Sequence, residues 1–377
     1  MSKRGNNEGS IYKRTDGRWA ATLTLGYENG KRKRKSYYGQ TRREVQEQLT
    51  QALRTVQQGL PVTPERQTVG PFLNRWLQDS VQPTVRPRTY DSYSEIARLH
   101  LIPELGRVPL AKLTPQNVQA LLAKKLASGL SPRRVQYIRA VLRRALGQAL
   151  KWGLVGRNVA TLVDSPRVEH PEIQPLTPTQ ARTLLEAAKG DRFEALYILA
   201  IALGMRQGEL LGLRWAYCDL DSNVLRVSVT LQRIQGKFQL VEPKTERSRR
   251  TLNLPDIAVR TLKSRRLLQF EERLAAGEHW TDTGLVFTTG LGTPLDTGTV
   301  IRGFQRLLRR AGLPHVRFHD LRHTCASLLL SQGTSPRMIM EILGHSQIAT
   351  TMDIYSHIMP AMREEAARQM DDLLLSG

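Results

Sequence analysis

Two polar, proline-bearing stretches decide what this chain can fold into. QQGLPVTPERQTVG at 57–70 and DSPRVEHPEIQP at 164–175 mix Pro, Gly and charged residues without apolar periodicity, the composition of linkers. They cut a 377-residue chain, too long for one ordinary core, into three pieces with different patterns. The expected boundaries are 1–62, 66–165 and 173–377. The expected fold class is multidomain and mainly α with small β-sheets. A three-stranded sheet plus helix comes first, then a helical domain, then a mixed α+β domain.

In the first piece, short strand patterns surround turn signals at Asp16-Gly17 and Asn29-Gly30, the second a strong hairpin signal. Thr41-Arg-Arg-Glu44 reads as a capping box, and Val45, Leu49, Leu53 and Val56 follow at helical spacing. Residues 1–59 hold 13 Lys and Arg against 5 Asp and Glu, so this small unit is strongly cationic. Its run Lys31, Arg32, Lys33, Arg34, Lys35 places positive charge on both faces of one strand. A solvated edge strand protected from aggregation is the bland explanation. With Trp19, Tyr37 and Tyr38 close by, DNA contact is the better one.

The middle piece reads as all helix. Thr114-Pro115 and Ser131-Pro132 each put an N-cap residue before a proline at the first helical position. After Pro132, Val135, Ile138, Leu142, Leu146 and Ala149 form one apolar stripe, with Arg133, Arg144 and Lys151 on the opposite face. Such a face is usually only solvated, but cations there can also lie along phosphates and release counterions.

The third piece starts cleanly at Thr177-Pro178-Thr179-Gln180, a capping box with a proline at the first helical position. Residues 224–232, 237–242 and 250–254 read as one small antiparallel sheet. Near the end, HDLRH puts His319 and Arg322 three apart, on one face of a helix. Gly333 ends that helix, Ser335-Pro336 opens another, and Gly344 closes it, leaving His345 just past a helix C-terminus. Tyr355 follows ten residues later.

Charge narrows the partner. The chain carries 56 Lys and Arg against 34 Asp and Glu, net +22, which points to a polyanion, nucleic acid first. The apolar run ending at Met205 is too short to span a bilayer, and no lipid-facing amphipathic helix is evident. MSKRGNNEGS lacks the apolar stretch of a signal peptide. Cys218 and Cys325 are isolated, as in a reducing compartment. A cytoplasmic, nucleoid-associated protein without a membrane partner is the expectation.

Taken together the third piece resembles the tyrosine recombinase, or phage integrase, family over its whole length. ALGMRQGELLGLRW is similar to the first arginine motif and gives Arg206, with Glu209 at the supporting acidic position. PKTERSRR is similar to the lysine motif and gives Lys244; HDLRH gives His319 and Arg322; LGH gives His345; and Tyr355 stands at the nucleophile position. The resemblance implies DNA cleavage and rejoining through a covalent 3′-phosphotyrosine, with no metal or other cofactor. It implies that 1–62 binds arm-type DNA sites, 66–165 binds core sites, and 173–377 is catalytic with a tail helix packed on a neighbour. It also implies a homotetramer on double-stranded DNA, helped by a host DNA-bending protein and an excision factor. The basic N-terminal unit favours an integrase of a phage or integrative element.

The chemistry of the residues agrees with that resemblance. Two arginines offer planar forks to the non-bridging oxygens of a phosphodiester, which lysine cannot. A phenolate attacks and later leaves, conserving the bond energy. His319 is the candidate base, Lys244 the candidate acid for the 5′-oxygen, and His345 a donor to the phosphate. Two alternatives are weaker. A zinc site of His319, His323 and His345 lacks the glutamate of H-E-x-x-H and has Arg322 between its ligands. A DNA-binding protein without catalysis would not need every catalytic position filled.

Overall fold

The computed structural model describes residues 9–28, 31–57, 67–169, 174–242, 249–344, 370 and 374–375. The chain divides into two compact units, Met1–His170 and Pro171–Gly377.

The first unit holds two separate hydrophobic clusters. Strands β1 (Ser10–Lys13), β2 (Trp19–Glu28) and β3 (Lys31–Gly39) form an antiparallel sheet in that order, and α1 (Arg42–Gln57) packs on it. Gly17, at φ 82°, makes the first turn; the Asp16 carboxylate accepts the Arg18 backbone N–H. Glu28 pairs with Lys31 across the antiparallel β2–β3 ladder, as a hairpin there requires; Asn29 and Gly30 themselves lie outside the described residues. Thr41 caps α1 by accepting from Glu44 N, but the Glu44 carboxylate accepts from Gln40 N, one residue before the position expected for a capping box. The small core is Ala21, Leu23, Val45, Leu49 and Ala52. Leu53 is only partly buried and Val56 is exposed, so the expected apolar stripe turns toward Ala52 over its last turns.

Helices α2 (Val69–Trp76), α3 (Pro87–Ile96), α4 (Ile102–Leu105), α5 (Pro115–Ala127) and α6 (Pro132–Lys151) build the second cluster. Thr114 and Ser131 cap α5 and α6 as expected. Phe72, Leu73 and Trp76 of α2 meet Ile138, Leu142 and Leu146 of α6 in one core, and Trp76 stacks on Tyr93 at 6.0 Å between ring centroids.

The second unit opens with α7 (Pro178–Ala187), where Thr177 and Gln180 exchange capping hydrogen bonds. Helix α8 (Glu194–Ala202) is buried on all sides from Ala195 to Ile201, so it forms the centre of the domain rather than one wall. Each fully buried leucine there, Leu196 and Leu199, contributes roughly 1.5–3 kcal/mol. Next come α9 (Gln207–Leu211), β4 (Cys218–Asp219), β5 (Val224–Val227), β6 (Thr230–Ile234), β7 (Lys237–Val241) and β8 (Arg250–Asn253). The single sheet expected from the sequence is two: β4-β5-β8, and a separate β6-β7 hairpin. The continuous-looking run 224–232 breaks after Val227 because its first half pairs with β8 and its second half with β7. Four more helices follow among the described residues: α10 (Asp256–Ala276), α11 (Thr297–Arg310), α12 (Asp320–Ser331) and α13 (Pro336–Leu343). Gly333 (φ 77°) follows α12 and Gly344 (φ 66°) closes α13, as their sequence positions predict.

Gly204 links this packing to the site. It sits between α8 and Arg206 at φ 57°, and a Cβ there would overlap the Leu343 side chain and press on Cys325. A left-handed alanine costs about 1–2 kcal/mol, and overpacking adds about 1–3 kcal/mol. Gly204→Ala is expected to lower the thermal midpoint of the second unit by several degrees in calorimetry. An unchanged midpoint would mean that the α8–α13 contact yields freely.

Candidate active site and nucleic-acid interface

Three of the six catalytic candidates, Arg206, His319 and Arg322, and the supporting Glu209 lie among the described residues; Arg206 and Arg322 meet at the C-terminal end of α13, with His319 beside them. Arg206 is the N-cap residue of α9 and His319 that of α12; Glu209 lies one turn into α9 and Arg322 in the first turn of α12. The last carbonyls of a helix carry its negative partial charge and lack intrahelical donors. Three guanidinium groups supply them here. Arg250 Nε donates to Ile342 O at 2.7 Å, Arg322 Nη2 to Leu343 O, and Arg206 Nη2 to Gly344 O at 3.0 Å. Arg322 Nη1 also donates to Gly204 O at 2.7 Å.

Glu209 holds two of these arginines together. Its carboxylate, with a side chain 1% exposed, accepts from Arg206 Nη1 at 2.8 Å and Arg250 Nη2 at 2.9 Å. It also accepts the Arg206 backbone N–H at 3.0 Å. Burial pushes this carboxyl up, but the charge and hydrogen bonds of Arg250, then Arg206, outweigh it and hold it below the usual range. Arg322 is buried, and desolvation, then Arg206 and Arg250, bring its guanidinium down to about 9, so it is still a cation at neutral pH. Arg206 keeps about a third of its side chain exposed, 36%, and so presents an accessible edge of the cluster.

His319 lies beside these cations. Desolvation, then His323, Arg322 and Arg206, lower its pKa to about 4, against a smaller opposite effect of Asp320. The residue is exposed, which limits the desolvation, but His323 and the neighbouring guanidinium groups act in the same direction. The imidazole is therefore neutral at pH 7 and able to accept a proton. Asp320 is itself occupied by Arg317, which donates from N and Nη2 at 2.8 Å. Thr324 Oγ1 donates to Asp320 O and accepts Leu176 N, tying the entry of the second unit to α12.

Lys244, His345 and Tyr355 lie outside the described residues, as does nearly all of the tail; its Met370, Leu374 and Leu375 are exposed. By sequence, Lys244 falls between β7 and β8, and His345 directly follows Gly344. Arg250 was missed by sequence reasoning. It stands at the end of the quoted PKTERSRR run, but nothing local distinguishes it from its neighbours, because its partners are 41 and 92 residues away. His319 and His323 face each other with ring centroids 5.6 Å apart. Among the described residues no group of three or more His, Cys, Asp or Glu could hold a metal.

In the first unit, Arg133, Arg144 and Lys151 are exposed on α6. They line a groove of about 1300 Å³ together with Arg134, Arg139 and Arg143, and no acidic residue is among its described lining. Arg144 lies over the Tyr93 ring at 5.5 Å from its centroid and donates to its hydroxyl. The extra arginines escaped the sequence reading because Asn158 and Ser165, brought to α6 only by the tertiary fold, close the other side of the groove. On β3, Arg34 is exposed and Lys35 half-buried against Tyr37. The side chains of Lys31, Arg32 and Lys33 lie outside the described residues. No described helix is long and apolar enough to cross a membrane.

Comparison with known proteins agrees with this geometry. Residues 174–362 match the model of the phage integrase family, and 68–126 that of the phage integrase N-terminal SAM-like domain. The chain belongs to the phage integrase family. It is a tyrosine-type site-specific DNA recombinase. A tyrosine recombinase XerC-like protein of Caldanaerobacter subterraneus subsp. tengcongensis is 31% identical, over 95% of this chain and 96% of that protein. The Tn1549 transposon integrase, solved with transposon right end DNA, matches with a TM-score of 0.67 at 21% identity, over 80% of this chain and 99% of that one. A lambda integrase tetramer bound to a Holliday junction matches at 0.56 and 19% identity, over 93% and 96%. These structures share the fold, mainly helical with small sheets.

The His319 environment gives a sign to acid sensitivity. Its folded pKa lies below the ordinary value of about 6.5, so the unfolded chain binds the proton more readily between the two. Stability from this group is full above about pH 6.5 and is lost as pH falls toward about 4. NMR titration of the His319 ring is expected to give a midpoint clearly below 6; a midpoint at or above 6.5 would refute the desolvated, charged environment described for it.

Proposed function

We propose that Tyr355 is the nucleophile of a strand-exchange reaction in which the other five motif residues handle charge and protons. The observation that carries the reading is the grouping of Arg206, Arg322 and neutral His319 at the end of α13, directly before the segment that supplies His345 and Tyr355. The Tyr355 Oη attacks the scissile phosphorus while its proton passes to His319. An O–P bond to tyrosine forms, the P–O5′ bond breaks, and Lys244 gives the 5′-oxygen its proton. Arg206 and Arg322 hold the non-bridging oxygens, whose charge grows in the transition state, and His345 donates to one of them. Glu209 orients Arg206. The charge work falls to arginine and lysine, so no metal or other cofactor is assigned a step. Reversal by a free 5′-hydroxyl rejoins the strands.

The remaining parts follow from charge and placement. The α6 groove, with Arg133, Arg144 and Lys151, takes the core site, and the basic β3 strand of residues 1–62 takes distal arm sites. The reading extends to a homotetramer joining two core sites, with the residues after Tyr355 packing on a neighbour; a lambda integrase tetramer bound to a Holliday junction supports the tetramer. A host DNA-bending protein and an excision factor would set direction, and the chain would act in the cytoplasm on the nucleoid. An integrating phage or element is the source that best fits the N-terminal unit.

A nicked suicide core substrate tests the chemistry. The full chain is expected to form an SDS-resistant adduct through a 3′-phosphate, mapped by peptide mass to Tyr355 rather than the adjacent Ser356. Tyr355→Phe should bind the same DNA with near wild-type affinity and form none. An adduct that persists in the Phe variant, or one on a 5′-phosphate, would overturn the assignment.

A further inference from the structure

We infer that Arg250 is a positioning residue for the cleavage step, pinning three catalytic segments to one another through a single guanidinium. The inference rests on the reading of the active site given above. Arg250 opens β8, six residues after Lys244, and its backbone is fixed there by pairing with Val227. Its side chain is 7% exposed. Nη1 and Nη2 reach the two oxygens of Glu209 at 3.3 and 2.9 Å, the carboxylate that also holds Arg206. Nε turns the other way, to Ile342 O at 2.7 Å, three residues before His345. One planar fork thus ties the start of β8, the Arg206 motif and the end of α13 into a fixed triangle.

The residue type is forced by this geometry. A bidentate bond to a carboxylate and a third bond to a carbonyl on the far side need a rigid guanidinium; an ammonium is a point charge on a flexible stem. A buried cation is costly unless fully paired, and this one has a carboxylate and a helix C-terminus as partners. Its own charge also raises the electrostatic pressure on Arg322, whose pKa it lowers. Arg250 therefore acts through Arg206, Glu209 and α13 and need not touch DNA. Misplacing a catalytic group by about 1 Å can cost roughly 10²-fold in rate, so the expected effect falls on cleavage and not on affinity.

The test compares wild type, Arg250→Lys and Arg250→Met on the nicked core substrate. Single-turnover adduct formation and equilibrium DNA binding are measured, each with an ordinary scissile phosphate and with a methylphosphonate at that position. Both variants are expected to bind DNA within about threefold of wild type and to cleave about 10–100-fold more slowly. The neutral methylphosphonate gains less from correctly aimed arginines, so on it the deficit of each variant should shrink severalfold. A merely structural defect would slow both substrates equally. Arg250→Lys keeps the buried charge, so it provides the measurement if Arg250→Met does not fold. Wild-type rates in Arg250→Lys, or a deficit equal on both substrates, would overturn the inference. Failure of wild type to form any adduct would instead overturn the reading of the active site.

Discussion

The carboxylate of Glu209 is the point on which the catalytic unit depends. Two cations, Arg206 and Arg250, would repel each other and Arg322 if brought to one helix end without it. Buried, doubly paired and held ionised, it turns three like charges into a fixed constellation. The C-terminus of α13 supplies the complementary negative dipole, with Ile342, Leu343 and Gly344 each accepting from one arginine. Neither half would suffice: one carboxylate leaves excess positive charge, and the carbonyls alone carry only partial charges.

That arrangement explains why the protein core is built as it is. Helix α8 is apolar all round from Ala195 to Ile201, and its end leads to Gly204, whose carbonyl accepts from Arg322, and then to Arg206 itself. A glycine is needed at 204 because α13 approaches too closely for a side chain. Packing at Gly204 therefore fixes where Arg322 and Arg206 stand relative to the end of α13. Desolvation, His323 and the neighbouring guanidinium groups together keep His319 neutral at pH 7. On the first unit, the acid-free groove along α6 makes the matching electrostatic statement at lower precision, where long-range attraction to a polyanion needs only density of charge.

Much of this was legible in the sequence where the signal is local. The caps at Thr114, Ser131 and Thr177, the glycines that end α12 and α13, and the hairpin around residues 29–30 follow from backbone chemistry within a few residues. The meeting of Arg206, Glu209, His319 and Arg322 was legible through family motifs, not through spacing alone. What stayed hidden is pairing between distant segments. Residues 224–232 look like one strand because alternation does not reveal which partner each half will find. Arg250 looks like one of several arginines because Glu209 and Ile342 are brought to it only by the tertiary fold.

Replacing Glu209 with Gln keeps the shape and removes the charge, turning an acceptor for two arginines into an amide that must also find acceptors of its own. Single-turnover cleavage of a core site by Glu209→Gln, measured beside equilibrium DNA binding, tests whether this carboxylate organises the site. The expected result is affinity within a fewfold of wild type and cleavage slowed about 10²-fold. Wild-type cleavage by a folded Glu209→Gln protein would contradict it.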